Sequence, residues 1–499
     1  VMKGEGEEQR YILGLKVGAL RQARGWSLSE LAARSGVSVS YLSEIEAGRK
    51  YPKQKKLLEL ARTLGVAPAE LASPQVAAEL DAVKALFTSE FVREFPFELF
   101  GVSPERVFRL LTEEPGKAGA LVRTCLEIGR MYDMRVEQFL FAALRSYQEM
   151  HGNHFPELER AARSCRESLG WGGGGVPDAA FLRQVLREHY GVQVDEALLA
   201  GHPELGAFRS IHLGGEPPRL LVNGRLLDVQ KAFIYAREIG FRRLGVQERP
   251  VASSWARIRS FDEVLNNFRA SYFAGALLID AAALEPALDA LFARPRWDDA
   301  ALLALLRRFR ATPEMLFYRM AELLPERFGR GTIFLTRFRQ ESDGGSRLTR
   351  TLNLSHAPVP HATGLNEHDC RRWPALQLLD TPAPPGAVTV AAHRVRFLED
   401  DSEALVLSAA RPLALANGLR SAVSLGIVAT PALGRTIRFA TDPAIPRVAV
   451  GPGCERCPLA PGECAERAAP PVIRNRLEAQ ARQQAALERL LTQCSRRQA

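Results

Sequence analysis

Residues 31–50, LAARSGVSVSYLSEIEAGRK, predict two short helices that meet across a tight turn. Apolar residues recur three and four positions apart on both sides of Gly36, which is the periodicity of amphipathic helices. Ser27 can cap the first helix, and Ser38 or Ser40 can begin the second, because a serine hydroxyl accepts a hydrogen bond from a free helix N–H. Two short helices joined by a glycine turn form the helix-turn-helix arrangement.

In a helix-turn-helix, the second helix enters the major groove of DNA by its N-terminal end. The sequence therefore predicts contacts to a double-stranded DNA operator from Ser27, Ser38, Ser40, Tyr41, Ser43, Arg49, Lys50 and Lys53. Further basic residues, Arg21, Arg24 and Lys55, are expected near the phosphates, which position such a domain. From Leu31 to Pro52 the chain resembles the XRE (Cro/repressor-like) helix-turn-helix family, whose pattern is LA-x-x-x-G-V-S-x-x-x-L-S-x-x-E-x-G-x-x-x-P.

Length and composition describe a multidomain protein of the globular class. The chain has 499 residues, of which 46% are hydrophobic and 25% charged, so its domains can each bury a core. The net charge of +9 favours a polyanionic partner. The N-terminus lacks the apolar core of a signal peptide, and no apolar run is long enough to cross a membrane. We therefore expect a cytoplasmic protein with no membrane partner.

Changes of pattern along the chain predict five segments of a multidomain α+β protein. Residues 1–72 form an all-α helix-turn-helix domain, and residues 73–170, which are charged and rich in helix signals, form a helical linker or dimerisation region. A run of glycines then opens an α+β domain over 171–330. An α+β sensor domain follows over 331–450, and residues 451–499 hold a cysteine loop and a C-terminal amphipathic helix.

The stretch AFIYAREIGF, 232–241, lies in a predicted long helix and has the frame of a zinc-peptidase helix. In that frame two histidines one turn apart bind zinc, and a glutamate activates water. Glu238 is kept, but Arg237 and Phe241 replace the histidines; a guanidinium stays protonated and phenylalanine has no lone pair, so neither binds zinc. The element order resembles the ImmA/IrrE-type metallopeptidase domain, with Asn267 at the third ligand position. We expect a degenerate zincin-like domain that is not an enzyme.

The pattern changes after residue 331 to short strands in which apolar and polar residues alternate. Gly, Pro and Asp interrupt these strands, so the pattern predicts an antiparallel sheet with loops. One covered face of such a sheet, as in GAF or PAS modules, is a common small-molecule pocket. The sequence therefore predicts a GAF/PAS-like sensor domain.

Three of the seven cysteines are grouped in PGCERCPLAPGEC, 452–464. Cys454 and Cys457 have the spacing that lets two thiolates meet one metal, and Cys464 can return to it through a tight loop. Zinc and an iron–sulfur cluster both need a fourth ligand, for which Cys370 is the candidate. Three incidental thiols are the alternative.

The order of these segments resembles that of the short-chain fatty acyl transcriptional regulators. RFRQESDGGSRLTR, DCRRWPALQLLD and ECAERAAPP are similar to three motifs of that family. The resemblance implies a regulator that senses a short-chain acyl-CoA and carries an iron–sulfur cluster, for which we favour 4Fe–4S over zinc. Carried onto this chain, the motifs suggest ligand contacts from Arg347, Arg350, Arg371 and Trp373. Between Cys370 and Trp373 the family's Pro-Leu is replaced by two arginines, which changes the expected pocket.

The expected assembly is a homodimer whose paired helix-turn-helix units read half-sites about 34 Å apart. Three alternatives stay open on the sequence alone. One is a redox-sensing transcription factor without an acyl-CoA ligand. Another is an active metallopeptidase that cleaves a repressor, against which the lost zinc ligands count heavily. The third is a toxin–antitoxin or phage-type repressor without a small ligand, which would leave the large C-terminal sheet unexplained.

Overall fold

The structure is a computed structural model. It describes residues 4–75, 97–100, 136–171, 175–252, 258, 260–329, 331–360, 367–431, 433–460, 462–476 and 478–485. The chain divides into two compact units, of which the first comprises residues 1–147 with 258–261 and the second comprises 148–257 with 262–499. Much of the expected helical linker, and the end of the expected C-terminal helix, lie outside the described residues.

The first unit holds a small helical domain with one apolar core. Its helices are α1 (Gly4–Ala23), α2 (Leu28–Ser35), α3 (Val39–Glu46), α4 (Gln54–Leu64) and α5 (Pro68–Ala72). Helix α3 packs on α1 and α2, and α4 packs on α2. The buried core consists of Leu13, Val17, Leu31, Val37, Leu42, Ile45, Leu60, Ala61, Leu64 and Leu71. Gly48 has φ 70°, and a Cβ there would lie 2.4 Å from the Tyr11 ring, so the close approach to α1 requires glycine.

A short 3₁₀ turn (Phe97–Phe100) and helix α6 (Val136–Met150) follow in the chain. The second unit then begins with helices around a small sheet. These elements are α7 (Pro156–Ser168), α8 (Ala179–Tyr190), β1 (Gln193–Asp195), β2 (Ser210–Leu213), β3 (Arg219–Val222) and α9 (Asp228–Arg243). Strand β3 is central, parallel to β1 and antiparallel to β2. Helix α8 packs on α9.

Four helices lead from this sheet to the next one: α10 (Phe261–Leu278), α11 (Ala281–Phe292), α12 (Asp299–Arg308) and α13 (Pro313–Phe328). Thr312 begins α13 by accepting a hydrogen bond from the Met315 N–H at 3.3 Å. Pro313 suits the first helical position because its missing N–H has no partner to lose there. Helix α13 packs on three strands of the second sheet.

The second sheet has six strands in the order β5-β4-β8-β7-β6-β9. Its elements are β4 (Ile333–Gln340), β5 (Ser346–Asn353), α14 (Pro374–Asp380), β6 (Thr389–Phe397), β7 (Glu403–Pro412), β8 (Arg420–Val428), α15 (Leu433–Thr436) and β9 (Arg447–Val450). Neighbouring strands are antiparallel except β6 and β9, which are parallel. Helix α14 packs on the sheet.

An aromatic cluster fixes the side of the sheet that faces α14. Trp373 is fully buried and contacts Phe334 and Phe397 at ring-centroid distances of 6.3 and 6.1 Å. On the neighbouring strand, a Cβ at Gly426 would lie 2.0 Å from the Phe334 ring, so only glycine leaves space for it. The cluster is therefore assembled from residues far apart in the chain.

The expectation of an all-α helix-turn-helix followed by α+β segments with sheets is confirmed. Helical residues also occupy 472–476 and 478–485, where the sequence predicts a C-terminal helix. No helix within the described ranges is long and apolar enough to cross a membrane.

Candidate nucleic-acid interface and ligand sites

Hydroxyl groups cap both helices of the helix-turn-helix. Ser27 accepts a hydrogen bond from the Glu30 N–H at 3.2 Å, and the Glu30 carboxylate accepts one from the Ser27 N–H at 2.6 Å, which is a capping box. These bonds hold the pKa of Glu30 below its usual range. Ser38 caps α3 in the same way, through the Tyr41 N–H at 3.3 Å. Gly36 turns the chain between the helices with φ 66°.

The N-terminal end of α3 is presented to solvent. Ser38, Val39 and Ser40 are exposed, whereas Tyr41 and Ser43 are half-buried against the domain. Because the N-terminal turn of the second helix contacts base edges in this motif, the exposed end of α3 is in the position that DNA recognition needs. The capping hydroxyls of the two serines that begin α2 and α3 are engaged with their own helices in this structure.

Basic residues surround this end of the domain. Arg49, Lys50 and Lys53 are exposed after α3. The Lys50 ammonium lies 2.7 Å from the Glu44 carboxylate and 5.6 Å from the centre of the Tyr41 ring. Exposed cations next to the recognition helix suit the phosphate backbone.

Arg21 and Arg24 have internal partners, although the sequence suggested phosphate contacts for them. The Arg21 guanidinium binds the Glu46 carboxylate through two hydrogen bonds of 2.7 and 2.8 Å and the Trp26 carbonyl through a third of 2.7 Å. Arg24 donates to the carbonyl oxygens of Leu20 and Leu64. Both arginines therefore connect the helices of the domain.

In the second unit, α9, the helix in which the sequence suggested a zinc-peptidase frame, borders a cleft. Arg237, Glu238 and Phe241 on α9 line it, together with Asn267 of α10 and Ser210 of β2; His212, Leu220, Ile234, Arg249, Pro250, Val251 and Ala252 complete the lining. The structure thus brings Arg237 and Phe241, the glutamate between them and the expected third-ligand position to one place.

Glu238 has partners in this cleft that no peptidase glutamate could keep. Arg249 binds both of its carboxylate oxygens, and the Arg242 Nε donates to one of them at 3.2 Å. The Arg249 guanidinium also lies 4.1 Å from the centre of the Phe241 ring. Burial raises the pKa of Glu238, but the hydrogen bond and charge of Arg249, with His212 and Arg242, lower it below its usual range. The Glu238 carboxylate is therefore ionised, and arginines occupy both of its oxygens.

Arg237 is the most strongly perturbed arginine of the cleft. Its guanidinium donates to the Ser210 hydroxyl at 3.2 Å. Burial, followed by the charges of Arg209 and Arg249, lowers the pKa of Arg237 to about 10 against the opposing effect of Glu238. The charge at this histidine position is thus positive and poorly solvated.

The cysteines of two distant segments meet beside α14. Asp369 pairs with Gly453 as an isolated β-bridge, and the Cys454 N–H donates to the His368 carbonyl at 2.9 Å. Cys370, Cys454 and Cys457 are buried.

Burial, and then the nearby Cys454 and Cys457, raise the pKa of Cys370 to about 11, although backbone N–H groups of Gly451 and Arg372 oppose this. The Cys454 sulfur accepts an N–H from Ala468 at 3.4 Å. Cys464 stands apart: it is half-exposed, with its sulfur 3.5 Å from the Glu466 carboxylate. Across the described ranges, no three His, Cys, Asp or Glu side chains form a group that could hold a metal ion. The protein as described therefore has adjacent thiols without a closed ligand set.

The four residues suggested for ligand contact lie in different surroundings. Arg347 is exposed on β5, and Arg350 of the same strand stacks on the Tyr318 ring at 4.7 Å. Arg371 donates to the Ser346 hydroxyl at 3.4 Å, which brings it to the start of β5. Trp373 is a core residue whose indole N–H donates to the Gly451 carbonyl at 3.0 Å.

Sequence reasoning missed the arginines that surround the altered helix. Arg209 and Arg249 occur singly in an arginine-rich chain, and no spacing connects them to residue 237. Their importance follows from burial, which a periodicity pattern does not report for isolated charged residues.

Comparisons with known proteins identify relatives of the N-terminal region. The helix-turn-helix family model HTH_3 matches residues 17–71. The HTH-type transcriptional regulator y4dJ of Sinorhizobium fredii is 42% identical over 67 residues, which are 13% of this chain and 87% of that protein. The regulator DdrOP3 of Deinococcus deserti is 35% identical over 102 residues, covering 17% of this chain and 79% of its own length.

One further relative is much longer than the region it shares with this chain, and one solved structure is matched over most of its length. The HTH-type regulator Mb0023 of Mycobacterium bovis is 39% identical over 15% of this chain, and the match spans 28% of that protein. A solved Mycobacterium tuberculosis transcriptional regulator has a TM-score of 0.45 at 19% identity, over 66% of this chain and 94% of its own. Because the chain spans most of y4dJ and DdrOP3 and carries the matching helices, it belongs to the XRE-type helix-turn-helix transcriptional regulators, which bind DNA.

Proposed function

We propose that a short-chain acyl-CoA sets the DNA affinity of this regulator, and that a thiolate-bound metal centre stabilises the region that binds it. The observation that carries the proposal is the meeting of two distant segments beside α14. The bridge between Asp369 and Gly453 holds Cys370 next to Cys454 and Cys457. Cysteines otherwise sparse in the chain are thus concentrated at one point of the sensor region.

Guanidinium groups stand next to these thiols. Arg371 reaches Ser346, the neighbour of Arg347, and the charge of Arg372 acts on Cys464. Arginine is the side chain best suited to bind phosphate groups because its planar fork matches two oxygens at once. The phosphates of a coenzyme A could therefore bind where the cysteine segments meet.

Thiolates are the donors that an iron–sulfur cluster needs, with zinc as the alternative, and the described residues do not yet form a closed ligand set. Cys370, Cys454 and Cys457 would supply three thiolates, and Cys464 on the same loop the fourth. Backbone N–H groups already donate to the sulfurs of the first two, as they do at thiolate metal centres. When bound, such a centre supplies a redox-sensitive link between the two segments.

We also propose a degenerate zincin-like domain around α9 and a GAF/PAS-like sensor domain built on the six-stranded sheet. Arg237 and Phe241 offer zinc no lone pair, so the protein would not be an enzyme. A homodimer would present two α3 helices to half-sites about 34 Å apart. The ligand can change DNA affinity only if it binds two arrangements of this dimer with different affinities.

A thermal-shift series tests the ligand. Folded, metal-replete protein is titrated with acetyl-, propionyl-, longer acyl- and free coenzyme A. A ligand at about 100 times its dissociation constant adds roughly 2.7 kcal/mol to native stability, so a selective shift with one acyl chain is the expected result. No shift with any of them would contradict acyl-CoA sensing and favour a redox sensor acting through the cysteines.

The metal centre is tested separately. Anaerobically purified protein should absorb near about 400 nm, as thiolate-bound iron does, and the Cys454→Ser, Cys457→Ser double variant should lose that absorbance. Cys165→Ser is the matched control, because that buried thiol lies away from the loop. Colourless protein with one equivalent of zinc would indicate a structural site, and protein with neither metal would refute the centre.

A further inference from the structure

The cleft beside the altered peptidase helix holds more positive than negative charge. Arg237, Arg242 and Arg249 lie at or next to it, and Glu238 is the carboxylate that the described contacts place among them. His212 adds no balancing charge: burial, and then the charge of Arg249, lower its pKa, so the ring is neutral at neutral pH. Guanidinium groups cannot shed their protons to relieve this.

A second group of arginines contributes positive charge next to the cleft. Arg209 precedes the cleft-lining Ser210, and burial, with the charges of Arg411 and Arg337, lowers its pKa to about 10. Glu314 is the carboxylate of this group; its oxygens lie 2.7 Å from the Arg411 Nε and 3.6 Å from the Arg337 Nε. Buried charges of one sign are unfavourable unless an opposite charge compensates them.

Two polar atoms on the cleft wall are buried without a hydrogen-bond partner among the described residues. They are the Arg249 Nε and the His212 Nδ1. The His212 Nδ1 lies 3.8 Å from a Glu238 oxygen, which is close enough for electrostatic attraction but too long for a hydrogen bond. Unsatisfied polar atoms in a concave site point to a missing partner. The side chains of Ser210 and Asn267 add further polar groups to the same wall.

We propose that this cleft binds a small oxyanion, a phosphate or carboxylate group, beside Arg237, at the position where a zinc peptidase would hold its metal. Arg237 would bind the anion directly, and Arg209 would strengthen that binding through its charge. The site uses neither the cysteines nor the residues assigned to acyl-CoA, so it stands apart from the proposed function.

The test is a titration of the full-length protein with inorganic phosphate, pyrophosphate and malonate, each against sodium chloride at equal ionic strength. A saturable rise in melting temperature with at least one of these anions is expected. Phosphate and pyrophosphate acting without malonate would identify a phosphoryl group; malonate acting alone would identify a carboxylate. A response no larger than that to sodium chloride for all three would overturn the proposal.

Arg237→Gln locates the site. It should weaken the responding anion at least about tenfold, since a charge-assisted hydrogen bond is lost. The unliganded variant should melt no lower than wild type, because a charge repelled by Arg209 and Arg249 is removed. Arg243→Gln is the matched control: the same change on the same helix, at an exposed position outside the cleft lining. Equal anion affinity in the two variants would overturn the proposal.

Arg237→Lys keeps the test decisive if the glutamine variant fails to fold. It retains the charge but loses the planar fork, so we expect intermediate affinity, and wild-type affinity would contradict direct binding. The Cys454→Ser, Cys457→Ser variant should keep full anion affinity. Loss of anion binding there would show that the anion occupies the cysteine region and would overturn the assignment to the cleft, whatever the fate of acyl-CoA sensing.

Discussion

Replacing Arg21 by glutamine should weaken the helix-turn-helix fold and leave its contacts with DNA unchanged. The guanidinium makes two hydrogen bonds to Glu46 and one to the Trp26 carbonyl. Hydrogen bonds to charged groups contribute about 1.5–3 kcal/mol, and the 14% exposure of both side chains brings some solvent screening. We therefore expect Arg21→Gln to lower the free energy of unfolding of this domain by about 2 kcal/mol.

Two measurements separate the structural role from a role in DNA contact. Amide exchange in residues 39–46, the recognition helix, should accelerate about 30-fold, which corresponds to about 2 kcal/mol. The slope of log affinity for DNA against log salt concentration should not change, because no phosphate contact is lost. Lys53→Gln is the opposite case. Loss of this exposed ammonium should reduce the salt slope by about 0.9 and leave amide exchange in residues 39–46 unaltered.

The double variant Arg21→Gln, Glu46→Gln completes the cycle, since removing both partners leaves no uncompensated carboxylate. The double variant should lower the free energy of unfolding by less than the sum of the two single changes. A reduced salt slope for Arg21→Gln with normal amide exchange would refute this reasoning. That result would mean that Arg21 leaves Glu46 to bind a phosphate in the complex.

Two other predictions concern the second unit. Gly426→Ala should lower the free energy of unfolding by about 1–3 kcal/mol through overpacking against Phe334, and urea denaturation would show it; an unchanged midpoint would contradict the close contact. Burial raises the pKa of Glu314, but the charges of Arg411 and Arg337 outweigh it and hold that pKa at about 2, below the unfolded value. The stabilisation is therefore present above the unfolded pKa and lost as pH falls towards 2. Glu314→Gln should lower the melting temperature most at pH 7, less at pH 3 and least near pH 2; an equal decrease at all three values would count against it.

The local parts of this protein could be predicted from its sequence. The turn at Gly36 and the caps at Ser27 and Ser38 depend on residues within a few positions of one another, so the pattern contains the whole interaction. The strands of the second sheet could also be predicted, because apolar and polar residues alternate along them. The order of the strands in the sheet could not be predicted, because strand pairing depends on packing between segments far apart in the chain.

Long-range partners changed the interpretation of individual charges. A basic residue at position 21 beside a DNA-binding motif suggests a phosphate contact, but its carboxylate partner lies 25 positions away on another helix. Trp373 belongs to a motif that suggested a ligand contact, yet the indole packs on Phe334 and Phe397 in the core. Neither outcome could be predicted from local patterns.

The retained Glu238 has a consequence for how such a cleft can evolve. Arg237→His and Phe241→His would restore two imidazoles, but Glu238 would still be bound by Arg249 and Arg242 and could not activate water. Phe241→His would also remove the aromatic ring on which Arg249 rests. Arg242 and Arg249 are both bound by this one carboxylate, so a single change at Glu238 or Phe241 also disturbs the arginines that contact it. Epistasis of this kind acts as a ratchet: while two arginines bind Glu238, changing one residue at a time does not free its carboxylate for another role.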